Sequence, residues 1–76
     1  MPNLPRISGK EAVAAFVQAD SVVDRVSGSH YIMKKEGHPK RLSIPVHAGK
    51  TVGLGLLRRQ IADAGLTVEQ FLELLQ

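Results

Sequence analysis

A chain of 76 residues allows one domain with one modest core, and with no cysteine that core must hold by packing alone, without disulfides or thiolate metal ligands. Ten Lys and Arg against seven Asp and Glu leave a formal charge of +3, a mild bias toward polyanions. No apolar run reaches membrane-spanning length and the opening Met1-Pro-Asn-Leu-Pro-Arg6 lacks the apolar core of a signal peptide, so no membrane role and a cytoplasmic location are expected.

Pro2 and Pro5 predict an extended start, after which Ser8-Gly-Lys-Glu11 reads as a capping box that opens a helix. Val13, Phe16 and Val17 share one stripe at helical spacing, Ala12, Ala14 and Ala15 favour the helix, and Asp20-Ser21 closes it. Val22 to Val26 is β-branched and predicts a strand, followed by the Gly28-Ser29 junction and a second strand from His30 to about Lys35. Gly28 lets the chain turn or approach a ligand closely, and Ser29 sets a hydroxyl ahead of the His30 imidazole, which suits a phosphate and a proton transfer. The same two residues also serve as plain punctuation before a strand, with His30 half-exposed on it.

Glu36-Gly-His-Pro-Lys40 predicts a turn with His38 solvated in it, and Arg41 to His47 alternates so that Leu42, Ile44 and Val46 share a face. Pro45 cannot donate to a ladder, so this strand belongs at a sheet edge or carries a bulge. Burying Tyr31, Met33 and the stem of Lys35 against Val46, Ile44 and Leu42 brings His30 and His47 opposite one another on the other face. The register shifted by one residue buries His30 and Ile32 and leaves a buried ring in need of a partner, so the first is preferred. Leu56 to Ala64 has helical periodicity through Leu57, Ile61 and Ala64, with Gly65 as its stop. Gly53-Leu-Gly55 lacks the further residues of a nucleotide-binding loop. Thr67-Val-Glu-Gln70 is a second capping box, and Val68, Phe71, Leu72 and Leu75 pack inward from the helix it starts.

The expected architecture is α+β over residues 1–76: a helix, a three-stranded antiparallel sheet, then one or two helices, all helices on one face. Arg25, Lys34, Lys35, Lys40 and Arg41 flank the sheet while most acidic residues fall in the helical parts, so the free face is expected to be basic and suited to RNA phosphates.

Leu4-Pro-Arg-Ile-Ser-Gly-Lys-Glu11, Arg25 ahead of Gly28-Ser29-His30, Ile44-Pro-Val-His47, Gly55-Leu-Leu-Arg58 and Ala64-Gly-Leu-Thr-Val-Glu-Gln-Phe71 occur in an order and spacing that resembles the HicA (YcfA-like) toxins. The resemblance implies a small double-stranded-RNA-binding-like fold, an mRNA interferase of a type II toxin–antitoxin pair, and a HicB-type antitoxin that covers the His30 face. It also implies that His30 is the residue tied to catalysis. The chain departs from the pattern at Ser27, often a basic position, and at Asp20-Ser21, where a small residue and an aromatic are usual.

RNA carries its own nucleophile, the 2′-hydroxyl, so a small protein need only move protons and hold a phosphate, with neither metal nor cofactor. His30 is the candidate general base or acid, and Arg25, Gly28, Ser29 and Lys34 are the candidate phosphate contacts. His47 is a candidate second proton-transfer group or a structural residue at the strand end. The carboxylates are scattered and mainly helical, which disfavours a metal nuclease. A non-catalytic RNA-binding module is the alternative that fold and charge also fit.

Overall fold

A computed structural model describes residues 4–75, so the extended conformation expected at Pro2 falls outside them. The order is α1 (Gly9–Gln18), β1 (Ser21–Ser27), β2 (His30–Lys35), β3 (His38–Pro45), α2 (Leu54–Asp63) and α3 (Val68–Leu74). The strands form one antiparallel sheet in the order β1-β2-β3. This is the α+β arrangement of a helix, three strands and two helices that the sequence predicts.

The starts of α1 and α3 form as their sequences dictate. Ser8 Oγ accepts from the Glu11 N–H while the Glu11 carboxylate accepts from the Ser8 N–H, and Thr67 and Gln70 repeat the exchange at α3. At the end of α2 the Gly65 N–H reaches the Ala62 carbonyl and the Leu66 N–H the Ile61 carbonyl, so Gly65, at φ 77°, closes the helix in a Schellman motif.

The core is assembled from one side of the sheet. Met33, Leu42 and Ile44 are buried under Phe16 of α1, Leu57 and Ile61 of α2 and Phe71 of α3. The Phe16 and Phe71 rings lie 5.1 Å apart at 44°, the tilted packing that aromatic quadrupoles favour. Val17, expected on the inward stripe, is 49% exposed, and Ala12, Ala15 and Ala19 take the buried positions around Phe16. Small residues there let α1 lie close against the sheet.

The closest approach is at the start of α1. A Cβ on Gly9 would collide with the Pro45 carbonyl oxygen and stand 2.9 Å from the Cα of Val46. Those are backbone atoms, which cannot rotate away. Gly9→Ala gains up to about 1 kcal/mol of helix propensity but forces α1 off β3, an overpacking cost of about 1–3 kcal/mol. The variant should therefore melt several degrees lower, and an unchanged or higher melting temperature in a thermal scan would contradict this reading.

Candidate functional site at the first hairpin

Ser27 pairs with His30, so Gly28 and Ser29 form a two-residue hairpin turn. Gly28 has φ 59° and Ser29 does not share the positive value, the pattern of a turn with glycine required at its first central position. The turn delivers His30 as the first residue of β2. Because Tyr31 and Met33 face the helices, His30 and Ile32 point to the uncovered side, and the His30 side chain is exposed.

The pairing of β2 with β3 differs from expectation by two residues. Tyr31 pairs with Ile44 and Met33 with Leu42, so the predicted face is buried, but His30 stands opposite Pro45 rather than His47. His38 also leaves the predicted turn: it begins β3 opposite Lys35, is half-buried, and packs its ring against Gly65. The strand thus starts three residues earlier than Arg41 and ends at Pro45.

Past Pro45 the ladder takes one more step, the Val46 N–H donating to the Ser29 carbonyl at 2.7 Å. That step carries His47 to the turn, where its Nε2 lies 3.4 Å from Ser29 Oγ, a long contact whose direction depends on the ring tautomer. The two imidazoles therefore flank Gly28-Ser29 without being a cross-strand pair.

The candidate phosphate contacts are not equivalent. Arg25 pairs with Ile32 and is a diagonal neighbour of His30 on the uncovered face, at about 7–8 Å by sheet geometry. It makes no ion pair among the described residues. Lys34 lies four residues beyond His30, about 13 Å along the strand, and is bound at 3.4 Å to Asp24, which also holds Arg41 at 2.6 Å. Asp24 reaches them from a β-bulge, the register shifting between Val23 and Arg25. The uncovered face is accordingly less basic than the composition suggests, and the cation without an ion pair among the described residues, Arg25, lies on its His30 side. Lys40 is likewise paired, with Asp63 of α2.

Concavities border the sheet at each end. The larger, about 620 Å³, involves Val22, Lys34 and Arg41 at the end away from His30, with Asp20 and Glu36 giving it mixed charge. A smaller one, about 380 Å³, lies at the hairpin end between α1 and β3 and is lined by Lys10, Tyr31 and His47. Lys10 escaped sequence reasoning because within Ser8–Glu11 it shows only as a helix-start residue. Among the described residues no three His, Asp or Glu side chains gather into a metal-binding group.

The family model for the HicA toxin of bacterial toxin–antitoxin systems matches residues 9–66, well over half of the chain. The chain belongs to the HicA toxin family. The match runs from the first residue of α1 through the turn after α2 and includes both sides of the His30 hairpin. No curated protein and no solved structure matches. Membership makes this HicA-family chain the toxin side of a toxin–antitoxin pair, and no helix among its described residues is long and apolar enough to cross a membrane.

The Asp24 bridge generates a measurable consequence. Its ion pairs are exposed and contribute at most about 1 kcal/mol to stability, but they occupy two cations. Asp24→Asn should leave the melting temperature within a few degrees while raising the salt concentration needed to elute the protein from a polyanion column. Elution at unchanged or lower salt would show that Lys34 and Arg41 do not serve that surface.

Proposed function

We propose that this HicA-family toxin is an mRNA interferase, a cytoplasmic endoribonuclease that cleaves RNA without a metal by using His30 and the RNA 2′-hydroxyl. The observation that carries the reading is the exposed His30 imidazole at the rim of a tight turn, beside an arginine engaged with no carboxylate among the described residues.

In this reading the 2′-hydroxyl loses its proton to a general base as it attacks the adjacent phosphorus. The bond from phosphorus to the 5′ oxygen breaks, and a general acid protonates that oxygen. A 2′,3′-cyclic phosphate and a 5′-hydroxyl result. His30 supplies one of the two proton transfers, and His47 is the candidate for the other, a role its 3.4 Å contact with Ser29 at the same turn supports. Arg25 offsets charge on the phosphate. Open space beside Gly28 lets a phosphate approach the turn backbone, with the Ser29 hydroxyl next to it. Lys34 would meet a phosphate further along the strand, after exchange with Asp24.

The HicB-type antitoxin in this account covers the His30 face and so blocks RNA. Val22, 52% exposed and paired with Lys34 on the same face, adds apolar surface for such a partner. The alternative, an RNA-binding module without catalysis, uses the same surface and differs only in leaving the strand intact.

The test uses purified protein with RNA and DNA substrates in the presence and absence of EDTA, alongside growth on induction. His30→Ala should lower RNA cleavage by about 100-fold or more, keep its circular dichroism spectrum, and no longer arrest growth. Cleavage at the wild-type rate by His30→Ala would overturn the assignment, EDTA-sensitive cleavage would overturn the metal-free mechanism, and binding without scission would favour the module.

A further inference from the structure

The cavity at the hairpin end lies on the opposite side of the sheet from His30, yet shares its turn. Tyr31 follows His30 directly and points the other way, half-buried, into this space. His47 forms part of the wall and touches Ser29 at the turn. Lys10, exposed in the first turn of α1, provides a cation at the mouth. An aromatic ring, an imidazole and an ammonium around about 380 Å³ suit one flat, polar ring attached to a phosphate. That volume is near the lower limit for small-ligand sites, enough for a single nucleotide and too small for a folded segment.

We propose that this cavity takes one RNA base, stacked on Tyr31 with its own phosphate near Lys10, while the neighbouring phosphodiester lies over the Gly28-Ser29 turn at His30. The strand then passes around the end of the hairpin. A base drawn into the cavity splays apart from the next nucleotide, which exposes the linkage between them to attack. The stacking that Tyr31 offers is open to any base, so this site fixes where the strand is splayed rather than which base is cut. The inference rests on RNA being the ligand of the His30 face, but not on His30 being catalytic.

The chain supplies its own reporter, since Tyr31 is the sole tyrosine and there is no tryptophan. The probe is a short oligoribonucleotide with 2′-O-methyl groups, which binds but offers no attacking hydroxyl. Its binding to the full chain is followed both by anisotropy of a label on the RNA and by tyrosine fluorescence. Binding should quench Tyr31. Tyr31→Leu should weaken binding about fivefold or more, as loss of one stacked base does, whereas Tyr31→Phe should bind within about twofold of wild type because the ring face remains. Lys10→Glu should weaken both signals together with an unchanged melting temperature. RNA that binds by anisotropy without quenching Tyr31, and with equal affinity for Tyr31→Leu, would overturn the base site alone; the cavity then belongs to a partner protein or to none. No RNA binding at all would overturn both this inference and the nuclease reading. Quenching by RNA together with full cleavage by His30→Ala would leave the base site standing and remove only the catalytic assignment.

Discussion

The hydrogen bond from the Val46 N–H to the Ser29 carbonyl fixes the end of the molecule that carries His30 and His47. It makes Ser29 and Val46 a hydrogen-bonded pair, so the neighbouring His30–Pro45 pair is non-hydrogen-bonded and the missing N–H of Pro45 faces out of the sheet edge, where it costs no ladder bond. The same alternation turns the Ser43 N–H outward, and the buried Gln60 of α2 accepts it at 3.3 Å. One edge strand thus tolerates a proline and is sealed by a helix side chain. Gly9 completes the arrangement by letting α1 rest on the Pro45–Val46 backbone. Three chain segments meet there, at the end of the sheet that carries the turn bearing Gly28, Ser29 and His30.

Charge is distributed by local pairing as much as by composition. Asp24, lifted by the bulge in β1, takes Lys34 and Arg41 into one cluster at the far end of the uncovered face, and Asp63 takes Lys40. Arg25 has no such partner among the described residues, and it sits diagonally from His30. An approaching polyanion would find its most available cation next to the imidazole. The exchangeable pairs lie further along its path.

Local signals in the chain are legible because they act within a few residues: the two capping boxes, the Gly65 stop and the glycine-first turn require nothing from elsewhere. The inward face of β2 was also legible from alternation. The register was not, because a slip of two residues keeps every side chain on its face and only the two-residue turn at Glu36-Gly37 sets the pairing. His38 leaves the expected turn for the same reason, since a shorter turn draws it into β3. Periodicity alone puts Val17 inward, yet the alanines give the closer helix-to-sheet contact. At the candidate site, Gly28-Ser29-His30 was conspicuous in the sequence, whereas the Asp24 bridge depends on a bulge and the Lys10–Tyr31–His47 cavity on a meeting of α1 with the sheet, neither of which leaves a trace in spacing.

In the proposed cleavage the substrate provides the attacking oxygen while the protein moves protons. The chemistry of the fragment ends tests it most directly. Cleavage through the 2′-hydroxyl predicts 2′,3′-cyclic phosphate on one fragment and 5′-hydroxyl on the other, found by end-labelling and mass spectrometry of RNA cut in EDTA. Fragments bearing 5′-phosphate and 3′-hydroxyl would mean that water made the attack, and would contradict it.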